Sequence, residues 1–167
     1  VEAFKGGDSL LVAGSSWPEE EEMLADYVNN DNNALKIVIA PHEIHYSNIS
    51  RLEKLFTVKT IRYSNYSIDR GRGAKVLIVD NIGLLSSIYK YADLALIGGG
   101  FGKGIHNILE AATWGIPVLF GPNYKKFKEA IDLIGLGGAI SFNSGQQFNA
   151  IIDDFIRDED KLIESGK

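Results

Sequence analysis

The stretch that decides the fold is Ala95-Leu-Ile-Gly-Gly-Gly-Phe-Gly-Lys-Gly-Ile-His-Asn-Ile-Leu-Glu110. An apolar run ends in five glycines within seven residues, and helix-forming residues follow. We call residues 98–104 the glycine loop. Glycines let a backbone approach a ligand closely, and the free amides of a following helix attract an anion. The pattern therefore predicts a strand, a phosphate-binding loop and a helix from about residue 105, which would place His106 and Glu110 on one helical face.

The same alternation of apolar runs and helical segments extends in both directions from this stretch. Strands are predicted at 10–13, 35–40, 60–63, 75–79, 94–97, 117–120 and 138–141, and helices at 18–29, 44–56, 105–113, 125–133 and 145–157. One more helix is predicted after Gly83, ending at about residue 91. Continuous apolar strands that alternate with helices indicate a parallel sheet covered on both faces. We therefore expect a doubly wound α/β fold, in which ligands bind at the carboxyl ends of the strands.

Length and composition limit the class of protein. The 167 residues suit one domain, and 45% hydrophobic with 23% charged residues is typical of a globular chain. A net charge of -5 argues against a general nucleic-acid binder, and the absence of cysteine excludes disulfides and thiolate metal sites. No apolar stretch reaches the roughly 20 residues that cross a bilayer. The chain begins at Val1 without a signal-peptide pattern, so we expect a domain taken from a longer protein.

Each candidate motif has a simpler structural interpretation. The glycine loop could be only a tight turn, and it matches neither a dinucleotide fingerprint nor a Walker A sequence. His106 and Asp80 could each cap a helix. The acidic run 19–22 and the lysines Lys125, Lys126 and Lys128 are expected to form solvated faces. His42 and His45 are three residues apart, but no convincing third ligand accompanies them, so no metal site is predicted.

At these residues the chain resembles the C-terminal, donor-binding domain of bacterial 3-deoxy-D-manno-octulosonic acid (Kdo) transferases. The resemblance runs over residues 10–156 and is most specific at residues 98–110, which are similar to the family's Gly-Gly-His-Asn-Pro-Leu-Glu motif. The segments 14–22, 79–85 and 117–123 resemble further family motifs. The family's arginine between Pro41 and His42 is absent here, and Leu84 stands where the family has glutamate.

The resemblance implies a Rossmann-like half of a GT-B glycosyltransferase, in which residues 1–167 form the nucleotide-sugar (donor) domain. The full enzyme would transfer Kdo from CMP-Kdo to a lipid A precursor at the cytoplasmic face of the bacterial inner membrane, without a metal or other cofactor. An N-terminal domain outside this chain would supply the acceptor site, the general base and the membrane association. The fragment alone is expected to bind nucleotide without turnover.

The donor-binding residues that follow from the resemblance have distinct roles. The glycine loop and the helix after it would hold the phosphate, Lys103 would add positive charge, and Glu110 would accept hydrogen bonds from the ribose hydroxyls. The full set is Ser15, Ser16, Pro41, His42, Ile82, Gly83, Gly100, Gly102, Lys103, Gly104, His106, Asn107 and Glu110. Two alternatives stay open: a GT-B transferase or 2-epimerase that uses a UDP-sugar, and a non-catalytic nucleotide-binding or interaction module.

Overall fold

A computed structural model describes residues 1–30 and 33–158, together with Asp160 and Glu164. It contains one seven-stranded sheet in which every pair of neighbouring strands is parallel. The strands are β1 (Ser9–Ser16), β2 (Leu35–Pro41), β3 (Thr60–Arg62), β4 (Val76–Ile78), β5 (Leu94–Ile97), β6 (Val118–Phe120) and β7 (Ala139–Ser141). The doubly wound α/β fold predicted from the sequence is confirmed.

The helices lie between the strands. They are α1 (Glu2–Lys5), α2 (Pro18–Asn30), α3 (Tyr46–Leu55), α4 (Leu85–Ile88), α5 (Leu109–Ala112), α6 (Lys128–Gly135) and α7 (Gly145–Arg157). Short 3₁₀ turns at Tyr63–Asn65 and Tyr89–Tyr91 complete the regular structure of the described residues. No helix in this part of the chain is long and apolar enough to span a membrane.

The strand order is β3-β4-β2-β1-β5-β6-β7, so the order of winding reverses between β1 and β5. Leu11 pairs with Leu94 and Gly14 with Ile97, which aligns the carboxyl ends of these two strands. In doubly wound folds this reversal opens a crevice at the carboxyl edge of the sheet. The glycine loop leaves β5 at this crevice.

The core consists of two apolar clusters, one on each face of the sheet. Leu10 and Val12 of β1 belong to one cluster, and Leu11 and Ala13 belong to the other. Successive side chains of a strand point to opposite faces, so a strand that is apolar throughout serves both clusters. This is why the strands read as continuous apolar runs rather than alternating ones.

The prediction of a helix from about residue 105 to 113 is wrong in its first turn, because α5 covers only Leu109–Ala112. The His106 amide donates to the Gly98 carbonyl at 3.0 Å, and the Asn107 side chain accepts a hydrogen bond from the Leu109 amide at 3.0 Å. These bonds hold residues 105–108 in an irregular segment that folds back on the sheet. His106 and Glu110 therefore do not share a helical face.

Other boundaries differ by a few residues. Helix α1 was not predicted, α6 starts at Lys128 rather than at 125, and α3 covers Tyr46–Leu55 instead of 44–56. Strand β5 and helix α7 have the predicted bounds. Most of the charged tail after residue 158 lies outside the described residues.

Candidate functional site

The glycine loop passes between two neighbouring backbones at the carboxyl edge of the sheet. A Cβ atom on Gly98 would lie 2.0 Å from the Ser15 carbonyl oxygen, and one on Gly100 would lie 2.4 Å from the Gly121 amide nitrogen. Real Cβ atoms do not approach other atoms so closely, so only glycine fits at both positions. The loop is therefore anchored between the ends of β1 and β6.

Some of the loop amides are used inside the loop itself. The amides of Gly102 and Gly104 both donate to the Gly99 carbonyl at 3.1 Å. The amides of Gly100, Phe101 and Lys103 have no acceptor among the described residues. Of these three residues only Lys103 is exposed, since Gly100 is buried and Phe101 is partly buried. Helix α5 is too short and begins too late to contribute a helix terminus.

Trp17, His42 and His106 form an aromatic stack above the crevice. The Trp17 and His42 rings lie 4.4 Å apart at 24°, and the His42 and His106 rings lie 4.7 Å apart at 26°. The three residues follow β1, β2 and β5, so the stack joins three strand ends. The sequence-predicted residues His42 and His106 are thus brought together, by a tryptophan to which the sequence analysis assigned no role.

A hydrogen bond from Trp17 fixes the tautomer of His106. The Trp17 indole Nε1 lies 3.0 Å from His106 Nε2. An indole N–H can only donate, so Nε2 accepts and the proton of the neutral ring is on Nδ1. Burial lowers the pKa of His106, and the nearby His42 lowers the pKa further. His106 is therefore held neutral, with an Nδ1–H that donates to no group in the described part of the chain.

The acidic run after β1 is not a solvated face, which corrects the prediction for two of its four residues. Glu20 and Glu21 are 1% and 0% exposed. Glu20 accepts hydrogen bonds from the Gly99 amide at 2.9 Å and from the Trp17 amide at 3.0 Å. Burial raises the pKa of Glu20, while these two bonds favour its charged form. Glu20 thus holds the start of the glycine loop against the start of α2.

Glu21 connects α2 to the end of β1 and to α3. It accepts a hydrogen bond from the Ser16 hydroxyl at 2.9 Å and forms an ion pair with Arg51 of α3. Ser16 is itself buried, so its hydroxyl serves this internal bond. Ser15, beside it, adopts a φ of 51° and is partly exposed at the crevice.

A cleft of about 350 Å³ opens beside the aromatic stack. It is lined by Trp17, Glu19, Gly99, Gly102, Lys103, Gly104 and His106. Four of these residues belong to the predicted donor-binding set. Lys103 is exposed, and it has no carboxylate partner among the described residues. The cleft therefore brings the ammonium and amide of Lys103 together with the His106 ring, whereas Gly100 and Phe101 do not line it.

None of the other nine predicted residues lines this cleft. Pro41 is buried at the end of β2, whereas Ile82 and Gly83 are exposed in the loop after β4. Glu110 is partly buried near Tyr89, whose pKa is raised by burial and by the Glu110 carboxylate. The Tyr89 hydroxyl in turn contacts Gly14 of β1. The Glu110 carboxylate accepts no hydrogen bond within the described residues.

One simpler interpretation from the sequence, a helix cap at Asp80, is replaced by a specific contact. Asp80 does not cap the following helix but accepts hydrogen bonds from the amide and hydroxyl of Ser64. His45 caps α3 by accepting from the Asn48 amide at 3.3 Å. Among the described residues, no group of three potential metal ligands is assembled around either histidine of the His42/His45 pair.

Asn123 is a functional candidate that the sequence analysis did not single out. Its amide donates to the Gly100 carbonyl at 2.9 Å, and its Nδ2 donates to the Gly102 carbonyl at 2.6 Å. Its own carbonyl accepts from Ile105 at 3.3 Å. One asparagine after β6 thus determines the shape of the glycine loop. Its position after a strand and a Gly-Pro pair, within the segment 117–123 that resembles a family motif, was the available signal.

No protein-family model matches the chain. Among curated proteins, the 3-deoxy-D-manno-octulosonic acid transferase of Chlamydophila psittaci is 34% identical over 132 residues, which are 77% of this chain and 30% of that protein. The protein of the same name from Chlamydia trachomatis serovar D is 30% identical over 167 residues, 96% of this chain and 38% of that protein. The chain thus spans about a third of the length of these relatives.

Solved structures share the fold. The C-terminal CMP-Kdo binding domain of WaaA from Acinetobacter baumannii has a TM-score of 0.78 and 22% identity, covering 98% of this chain and 90% of that one. WaaG, a glycosyltransferase involved in lipopolysaccharide biosynthesis, has a TM-score of 0.64 and 14% identity, with 99% of this chain matching 42% of WaaG. The expected resemblance and the Rossmann-like fold are confirmed.

Proposed function

Because the chain is a sequence relative of the 3-deoxy-D-manno-octulosonic acid transferases, we propose that it is the donor-binding domain of a glycosyltransferase. The full enzyme moves Kdo from CMP-Kdo to a lipid A precursor in the synthesis of the lipopolysaccharide core. The site geometry supports this proposal through one observation above all. A neutral His106 with a free Nδ1–H stands beside the glycine loop and Lys103 at the point where the sheet reverses its order.

This arrangement suits a nucleotide phosphate. The Lys103 amide, the His106 Nδ1–H and the Lys103 ammonium belong to residues that line the cleft; all three are donors, and a phosphate oxygen is an acceptor. As the bond from the sugar to the phosphate breaks, charge develops on the leaving phosphate. Donors that are already in place stabilise this charge without reorganisation. These residues thus assist departure of the nucleotide without a metal ion.

The nucleoside occupies the part of the edge next to β1 and β4. Glu110, whose carboxylate has no partner among the described residues, accepts hydrogen bonds from the ribose hydroxyls. Ser15, Ile82 and Gly83 line the base and sugar region, and the exposed Ile82 packs against an apolar face of the ligand. His42 supports His106 through the aromatic stack. Asn107 positions α5 through its bond to the Leu109 amide.

The acceptor site and the general base belong to an N-terminal domain of a longer protein. The relatives that the chain matches are about three times its length, which leaves room for such a domain. Membrane association and the position at the cytoplasmic face of the inner membrane are likewise assigned to the whole enzyme. The donor domain contributes nucleotide and sugar recognition.

A titration with four nucleotides tests the proposal. The 167-residue chain is titrated calorimetrically with CMP, UMP, UDP and NAD under the same buffer and salt. We expect binding of CMP and weaker or no binding of the other three. A preference for UDP would instead select a UDP-sugar transferase or epimerase, and no binding of any nucleotide would select an interaction module.

A further inference from the structure

A second, larger cleft of about 760 Å³ lies on the other side of the glycine loop. It opens at the carboxyl ends of β6 and β7. Its walls include three lysines, Lys103, Lys125 and Lys126, together with the polar side chains of Tyr124 and Asn143. The proposed nucleotide site shares only Gly102 and Lys103 with this cleft.

The charged residues that line this cleft are all basic. None of the residues that line it is acidic, and its three lysines have no carboxylate partner among the described residues. Lys128, the next lysine along the chain, differs in this respect, since it pairs with Asp132 at 2.7 Å and lies outside the cleft. Three like charges around one concave surface attract an anion.

The two clefts share a wall. Gly102 and Lys103 line both of them, so one ligand can reach from one cleft into the other across the tip of the glycine loop. The strand order sets the direction of such a ligand, because the strands lie in the order β4, β2, β1, β5, β6 along the sheet. A nucleotide with its phosphate at β5 and its nucleoside towards β4 extends its other substituent towards β6.

We propose that the second cleft binds the transferred group of the donor, a sugar acid, and that Lys125 and Lys126 recognise its carboxylate. The inference rests on the proposed function for the position of the phosphate. A carboxylate is an acceptor at both oxygens, which suits two ammonium groups that pair with no carboxylate in the described part of the chain. The side-chain amide of Asn143 and the hydroxyl of Tyr124, which line the cleft, contact the sugar hydroxyls. The lysines therefore select an acidic sugar over a neutral one.

The test compares a free sugar acid with its neutral ester. The 167-residue chain is titrated with 3-deoxy-D-manno-octulosonate and with its methyl ester, each with and without saturating CMP. The parent chain is expected to prefer the acid. The variant with both Lys125→Ala and Lys126→Ala is expected to bind the acid roughly tenfold more weakly and to lose the preference. The preference should also weaken with added salt, because the lysines are exposed.

Lys128→Ala is the control, since it removes one lysine charge from the same region but outside the cleft. Equal binding of acid and ester by the parent overturns the inference, as does a loss of acid binding in Lys128→Ala equal to that in the double variant. If CMP binds and the acid does not, this inference alone fails. If CMP does not bind, the proposed function fails, and the titration without CMP still decides whether the cleft takes a sugar acid.

Discussion

His106 has its hydrogen-bonding chemistry determined by Trp17. A free imidazole can carry its proton on either nitrogen, but the indole N–H at 3.0 Å from Nε2 leaves only Nδ1 for the proton of the neutral ring. A protonated ring would place a second N–H against the indole N–H. The contact therefore opposes protonation in addition to the burial and the nearby His42, which lower the pKa.

The lowered pKa of His106 predicts how stability varies with pH. Because the pKa in the folded chain lies below the unfolded value of about 6.5, the unfolded chain binds the proton more tightly. The contribution of His106 to stability is therefore complete above about pH 6.5 and is lost as the pH falls through the folded pKa. Urea unfolding across this range should show a steeper acid loss for the parent than for His106→Gln, whose side-chain oxygen can still accept from Trp17. Identical pH profiles would contradict the assignment.

Glu110 is expected to bind the ribose of the nucleotide. Glu110→Ala removes a charge-assisted hydrogen bond, so nucleotide binding should weaken by roughly 1.5–3 kcal/mol, about ten- to a hundredfold. Calorimetric titration of CMP measures the change, and circular dichroism checks that the variant is folded. Glu129→Ala, an exposed glutamate of α6 outside both clefts, is the matched control and should bind CMP like the parent. Parental affinity in Glu110→Ala would end the ribose assignment.

At the level of the glycine loop, substitutions at Gly102 and Gly100 are expected to have different effects, one on nucleotide binding and the other on stability. A Cβ on Gly102 meets nothing closer than the Gly99 carbonyl oxygen at 3.9 Å, so Gly102→Val should fold normally. Its side chain would stand in the wall that both clefts share, so binding of CMP should weaken. Gly100→Ala should instead destabilise the fold by about 1–3 kcal/mol, because its Cβ meets the Gly121 backbone at 2.4 Å. Thermal unfolding and CMP titration of both variants separate the two effects.

The apolar periodicity of the sequence was sufficient to predict the strands and long helices such as α7. It could not predict the burial of Glu20 and Glu21, because their partners Gly99 and Arg51 lie 79 and 30 residues away in the sequence. An acidic run after a strand has the same local pattern whether it is solvated or bonded. The contact of Glu20 with the Gly99 amide exists only once β1 and β5 are paired.

The start of α5, after the glycine loop, could not be predicted from local sequence either. Residues 105–113 have helical propensity, yet the His106 amide bonds to Gly98 and the Ile105 amide bonds to Asn123, so the helix begins only at Leu109. Tertiary bonds here outweigh local propensity. The position of the site at the carboxyl edge was predictable because it follows from strand order and connection alone. The amides that remain free for a ligand were not predictable.

For the whole molecule, the proposed donor site occupies one edge of the sheet and leaves apolar side chains exposed near it. Ile82 and Leu109, which follow β4 and β5, are 86% and 53% exposed, and Trp114 at the end of α5 is 48% exposed. In the proposed enzyme the acceptor domain faces this edge and closes the site around the donor. Exposed apolar groups of this kind are common where a surface meets a partner.

The proposed separation of the donor and acceptor sites into two domains leads to the last prediction. The 167-residue chain should bind CMP yet transfer no Kdo from CMP-Kdo to a lipid A precursor, because the proposed donor domain holds the leaving phosphate but supplies no base for the acceptor hydroxyl. Deprotonation by a positioned base is typically worth about 10²–10⁴ in rate, and positioning of the acceptor is worth more. Radiolabelled transfer assays with a full-length relative as positive control measure the activity, and CMP titration of the same preparation proves that the donor site is intact. Transfer by the chain alone would show that the acceptor site and base lie within these residues, and the two-domain proposal would then be wrong.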